Sequence, residues 1–257
     1  MFSQMKLGCL PPKHDPRTLK LAKYLAPAQL PTPPASTNWR AKKPGWDMLG
    51  NDRAGDCTIA CVGHLDEVWA ANNGDVQLGY TDQQALAEYA AATGYDPNTG
   101  ANDNGAAIID ILNRWRQVGI FGNKLGAYAS VTMHDHAEVA TAIWLFGGVD
   151  AGVQLPLAWQ GTKLWTTPSH RLRFWQRWQW QPGSWGGHCV SIVDYDAQWL
   201  YAVSWGQVVQ ISWDAWDTFF IEAYACLDSL WTDGTKPAPS GFDIAALNAD
   251  LQAIGAN

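Results

Sequence analysis

The hydrophobic period of this chain changes near Gly122, and that change limits the folds open to it. Upstream, apolar residues recur at spacings of three and four. Ile59, Val62, Leu65, Val68 and Trp69 predict an amphipathic or largely buried helix over 57–72, stopped by Asn72-Asn73-Gly74. Thr81 as an N-cap before Ala85, Leu86, Tyr89 and Ala90 predicts a second helix ending near Gly94. After a turn-rich loop over 95–105, Ile108, Ile109, Ile111, Leu112 and Trp115 form the stripe of a third over about 106–118, closed by Gly119. Downstream, Asp135 and Glu138 resemble a capping box for a helix over 136–146, and alternation over 149–155, 189–195, 199–204 and 208–213 predicts strands. Helices followed by a mainly antiparallel sheet make an α+β chain, with a helical lobe over about 54–120 and a β lobe over about 121–235.

Composition narrows the function. Of 257 residues, 47% are hydrophobic and 16% charged, enough apolar material for a large core. The net charge of −7 argues against nucleic-acid binding, which needs clustered Lys and Arg to neutralise phosphates. That charge is uneven: residues 1–53 hold nine Lys/Arg and three Asp/Glu, leaving eight against twenty-one for the rest. Seven prolines in residues 1–38 predict an irregular basic arm, with a turn or two of helix at 18–25 and regular structure from about Trp39. Three roles are open to the arm: a strap on the acidic body, an inhibitor lying in its cleft, or a solvated extension. Residues 236–257 read as a Pro-led tail with a short helix from about Asp243.

No apolar run approaches the ~20 residues of a spanning helix, and no hydrophobic stretch follows the first residues as a secretory signal requires. The expected location is the cytoplasm, or outside the cell by a route without a Sec signal. Five cysteines at irregular spacing leave at least one thiol free or paired with another molecule.

Two segments carry chemistry. In Leu49-Gly50-Asn51-Asp52-Arg53-Ala54-Gly55-Asp56-Cys57, a cysteine follows a Gly-containing turn at the head of the first long helix, where the helix dipole favours a thiolate. The other reading of Cys57 is a small buried core residue. In Gly186-Gly187-His188-Cys189, a histidine opens an apolar strand that would hold its ring rigidly, either as a general base or as a structural residue. A hairpin centred near Asp196 would set His188 opposite Ser204. Asp194, six residues along the same strand, would lie about 20 Å from His188 and out of reach.

Taken together, these patches resemble the papain-like cysteine peptidases. Asn51, six residues before Cys57, stands where that family has an amide residue of the oxyanion hole, and Gly55 matches its glycine two residues before the nucleophile. Trp39-Arg40, Thr81-Asp82-Gln83-Gln84-Ala85-Leu86, Asn104-Gly105 and Val203-Ser204-Trp205-Gly206 fall in the family's order. The resemblance spans about 39–231. It implies a two-lobed fold, with a helical lobe, an antiparallel β-barrel-like lobe and the cleft between them. It also implies Cys57, His188, Asn51 and Ser204 as the catalytic set, and Gly55, Asp56, Trp205, Gly187, Asn104 and Gly105 around the substrate. The departures are Ser204 for the family's Asn, Thr58 for its Trp, and an acid, Asp56, beside the nucleophile, which should raise the thiol pKa.

Metal sites are the weaker readings. Cys57, Cys61 and His64 share a helical face but lack a fourth ligand, and in His134-Asp135-His136 the acid is already explained as a cap. No metal and no cofactor are expected. The Trp-rich run from Trp159 to Trp185, interleaved with Arg171, Arg173 and Arg177, reads as a mixture of core and sticky cleft wall for peptide or glycan. The reaction expected is thiol-dependent hydrolysis of a peptide or amide bond in a peptide or protein. A peptidoglycan-directed amidase or endopeptidase and an inactive binding or assembly protein are the alternatives.

Overall fold

A computed structural model describes residues 5–23, 25, 32–74, 76–169, 171 and 173–231. The C-terminal tail expected over 236–257 lies outside the described residues.

Three helices precede the main sheet: α1 (Cys57–Asn73), α2 (Asp82–Thr93) and α3 (Ile108–Gln117). Every α1 residue from Cys57 to Ala71 is buried, so of the two helix readings the wholly buried one holds. Its polar residues must then find partners inside. Tyr80 donates its hydroxyl to Asp66 at 3.1 Å, and Lys43 reaches Glu67 at 3.7 Å. The α2 cap forms as the sequence predicts, with Thr81 and Gln84 bonded reciprocally and Gly94 left-handed at the other end. Asp135 likewise caps α4 (His136–Phe146) by accepting from the Glu138 N–H. The Glu138 carboxylate turns instead to the Thr132 N–H, so the box does not close.

Eight strands form one sheet: β1 (Leu19–Lys20), β2 (Ala127–Ser130), β3 (Val149–Leu155), β4 (Leu164–Trp165), β5 (Gly186–Tyr195), β6 (Trp199–Ser204), β7 (Gln207–Ser212) and β8 (Phe220–Leu227). Their order is β1-β2-β8-β3-β5-β6-β7-β4. The sheet is antiparallel except at its ends, where β1 and β4 pair in parallel. Regular structure thus begins earlier than the sequence suggests. Leu19–Lys20 is a strand, and only Leu21–Lys23 is helical, as a 3₁₀ turn. The strand expected over 208–213 stops at Ser212, whose hydroxyl caps helix α5 (Trp213–Phe219). The central strand β8 had no clear sequence signal, because Glu222 interrupts its apolar run.

The tryptophans divide as a mixture. Trp159 stacks on Trp165 at 5.1 Å in the core, whereas Trp175 and Trp178 are exposed. Asp194 does not serve His188. Its carboxylate accepts the Trp39 N–H at 2.6 Å and the Arg40 guanidinium at 2.7 Å, which ties the segment before α1 to β5.

Because Asp194 is fully buried, Asp194→Ala removes one partner and leaves buried donors unpaired. The expected loss is about 3 kcal/mol, read as a lower urea midpoint at unchanged slope.

Candidate active site

The turn before α1 is shaped by two residues with positive φ, Leu49 at 57° and Gly50 at 81°. It delivers Cys57 to the helix head, facing the start of β5. Backbone N–H groups of Cys189 and Gly8 are directed at the Cys57 sulfur. The thiol therefore sits against the residue that follows His188. Burial nevertheless dominates, and with a smaller push from Asp56 it raises the Cys57 pKa to about 12. The Asp56 carboxyl is itself held well above its usual range by burial, so it favours its proton and acts on Cys57 only weakly as an anion.

His188 is 1% exposed, and its Nε2 lies 3.0 Å from Ser204 Oγ. Nδ1 has no hydrogen-bond partner among the described residues. Burial and, secondarily, His64 lower the ring's pKa to about 3. The imidazole stacks on Trp205, with centroids 4.1 Å apart and planes at 13°.

Trp205 and Gly206 have φ of 48° and 65° and join β6 to β7 by a two-residue turn, with Ser204 paired to Gln207. A left-handed tryptophan is a costly choice for such a turn, and here it lays the indole over the histidine. The β5–β6 register differs from the expected one. Ser191 pairs with Val203, and the register shifts between Ile192 and Asp194, so Ser204 reaches His188 diagonally.

Asn51 is buried, and its amide donates to the Ala54 carbonyl at 3.3 Å and to Asp56 Oδ1 at 3.1 Å. Gly55 donates its N–H to Asp103 at 2.8 Å, and Tyr89 holds both Asp103 and the Gly105 N–H, which joins the cysteine turn to the loop carrying Asn104 and Gly105.

Residues 5–10 of the basic arm run between these walls. The Ala106 N–H donates to the Gly8 carbonyl at 2.9 Å, the Leu10 N–H to the Ala106 carbonyl at 3.0 Å, and the Cys9 N–H to the Gly187 carbonyl at 3.2 Å. The Trp205 indole N–H reaches the Lys6 carbonyl at 3.3 Å. The fit depends on glycines: a Cβ on Gly8 would collide with the Gly55 carbonyl, one on Gly105 with the Gly8 carbonyl, and one on Gly187 with the Cys9 carbonyl. Further out, Lys13 pairs with Asp110. Residues 5–10 thus lie against the cysteine turn, the loop before α3 and the start of β5.

Sequence reasoning left the arm's place open among three, and it missed Glu222. Across the sheet Glu222 pairs with Gly152, which pairs with Cys189. Glu222 Oε1 is buried and has no hydrogen-bond partner among the described residues, and its charge acts on the Cys9 thiol in the cleft.

The metal readings do not form as the sequence suggested. His64 Nε2 lies 3.0 Å from the Asp47 carbonyl, away from Cys57, while His134 and His136 both meet Asp217.

Solved structures of cysteine proteases share this fold. Xylellain, from Xylella fastidiosa, superposes with a TM-score of 0.64 at 14% identity over 89% of this chain and 98% of its own. The fold is that of the papain-like cysteine proteases. The Carica candamarcensis protease CMS1MS2, solved with E-64, gives 0.53 at 14% identity over 76% of this chain and 99% of that one. The protease and lectin-like domains of Cwp84 from Clostridium difficile give 0.57 at 11% identity over 88% of this chain and 57% of that one. No family model and no curated protein sequence matches the chain. Among the described residues, no helix of this papain-like chain is long and apolar enough to cross a membrane.

The pKa values have a direct consequence. With burial raising the thiol to about 12, alkylation of Cys57 in the full chain should be slow at pH 7 and should rise by up to about tenfold per pH unit above it. Mass spectrometry of iodoacetamide-treated protein at pH 7, 8 and 9 measures it.

Proposed function

We propose that the chain is a thiol-dependent hydrolase of peptide or amide bonds, held in a closed state by its own N-terminal segment. The observation that carries this reading is the junction of Cys57, at a helix head, with the strand that presents His188, beneath a stacked Trp205. The neighbours named as cysteine proteases support it.

In the closed state the proton stays on sulfur, because burial disfavours both thiolate and imidazolium. When residues 5–10 leave, water enters, both charged forms gain solvation, and Nδ1 of His188 is free to take the Cys57 proton. The thiolate then attacks the substrate carbonyl carbon. The Cys57 N–H and the Asn51 amide, released from Asp56, stabilise the oxyanion. The imidazolium protonates the leaving amine, and water hydrolyses the thioester, with His188 as base. Ser204 holds Nε2 throughout, in place of an amide.

Cys57→Ala should abolish hydrolysis while thermal unfolding stays within about 1 kcal/mol of the parent, as expected of a small, near-isosteric core change. Gly8→Val is the complementary test. Its side chain cannot pass the Gly55 carbonyl, so it should expel the segment, speed E-64 labelling of Cys57 at least tenfold at pH 7, and expose peptidase activity. A folded Gly8→Val protein that neither labels nor cleaves a peptide library would leave the second reading, an inactive papain-like binding protein. Ser204, Asp56 and the engaged Asn51 amide are the observations that favour that reading.

We infer that the buried Glu222 carboxylate, which acts on the Cys9 thiol, would attract a cationic substrate side chain to the place Cys9 leaves. Glu222→Gln should lower kcat/KM for Lys- and Arg-containing peptides about tenfold and spare apolar ones, since one buried charge pair commonly accounts for such a ratio.

A further inference from the structure

One turn of helix behind Cys57 lies a second group of reactive side chains that the hydrolytic reading does not use. Cys61 from α1, Asp150 from β3 and Cys189 from β5 bring two sulfurs and a carboxylate oxygen within 4.8 Å of one another, and all three residues are buried. Cys189 donates its S–H to Asp150 Oδ1 at 2.9 Å, and Ser191 Oγ lies 3.2 Å from the Cys61 sulfur while donating to the Cys61 carbonyl at 3.0 Å. Asp150 is 0% exposed, and its Oδ2 has no hydrogen-bond partner among the described residues. No ion pair from Lys or Arg reaches it among those residues either. A buried carboxyl oxygen without a protein donor is costly, and a cation at this point would resolve it.

We propose that Cys61, Asp150 and Cys189 form a closed site for a thiophilic divalent cation, Zn²⁺ by the chemistry of its donors. Two thiolates and one carboxylate are borderline-soft and select zinc over Mg²⁺ or Ca²⁺. A tetrahedron with Zn–S of about 2.3 Å and Zn–O of about 2.0 Å has an S–S edge of about 3.8 Å and S–O edges of about 3.5 Å; the Cys189–Asp150 contact at 2.9 Å would open to this, and all three donor atoms already lie within 4.8 Å of one another. Ser191 Oγ is the fourth donor at hand. Binding displaces the two thiol protons, and the carboxyl proton where it is present, to solvent; no electron is transferred. The ion would join α1 to β3 and β5, fixing the helix that carries Cys57 against the strand that carries His188. This site does not depend on the hydrolytic reading.

The test uses the full chain, prepared in zinc-supplemented medium and, separately, refolded with Co²⁺. Plasma mass spectrometry should find about one zinc per chain. The cobalt form should show a thiolate-to-cobalt charge-transfer band, and thermal unfolding should shift downward when a chelator is present during refolding. Cys61→Ser, Cys189→Ser and Asp150→Asn should each lose the band, while Cys57→Ala keeps it. The wild-type measurements stand even where a variant fails to fold. A folded wild-type chain with neither zinc nor the cobalt band overturns the proposal. So does a thiol count of three in the denatured protein, which would mean a Cys61–Cys189 disulfide, or a folded Cys61→Ser chain that keeps its metal.

Discussion

Everything in this molecule is arranged around the enclosure of α1. A helix buried on every side cannot be satisfied by one neighbouring layer. It needs the sheet against one side and helices, with the loop before it, against the other. That requirement places its N-terminus, with Cys57, at the seam between the two lobes. It also explains the polar residues inside the helix: Asp66, Glu67 and His64 are held by Tyr80, Lys43 and the Asp47 backbone, all from segments wrapped around α1.

The same enclosure sets the electrostatics of the site. A helix head favours a thiolate by a few tenths of a kcal/mol to about 1 kcal/mol, whereas full burial of an anion costs several. Here burial prevails, for the cysteine and the histidine alike. Residues 5–10 add to that cover, with the Gly8 N–H directed at the Cys57 sulfur and the Lys6 carbonyl accepting from the Trp205 indole. The chemistry of the pair is therefore governed by solvation more than by the residues that touch it.

The sequence made the helices, their caps and the residues at the seam readable, because each has a local signature: three-and-four spacing, Thr81 with Gln84, glycine before Cys57, two glycines before His188. Ser204 was readable from its place after a hairpin and Trp205 from the family resemblance, although the register shift near Val193 was not. The segment over Cys57 was opaque for a physical reason. It is held through its backbone by Ala106, Gly187 and Trp205, so its side chains carry no period that betrays it. The glycines that admit it were noticed, but each one faces a partner distant in sequence. Strand β8 failed differently. Glu222, the residue that breaks its pattern, is where the strand passes beneath the cleft.

The two departures from the family's pattern at the site, Ser204 and Asp56, take on a common sense in the closed state. A serine hydroxyl both donates and accepts, so it satisfies Nε2 whether the ring is neutral or charged; a family-type amide oxygen would accept from a ring N–H only. Asp56, protonated under burial, costs less next to Cys57 than an anion would, and it occupies the Asn51 amide meanwhile. Both residues suit a resting state in which the pair is neutral. Opening the cleft would ionise Asp56 as water arrives, and that charge would stabilise imidazolium at His188 as readily as it opposes the thiolate at Cys57. The balance turns on which of the two the carboxylate faces more closely, and Asp56 adjoins Cys57 in the chain. In the open state we propose, the ionised acid would oppose a Cys57 thiolate, set against the helix dipole that favours it.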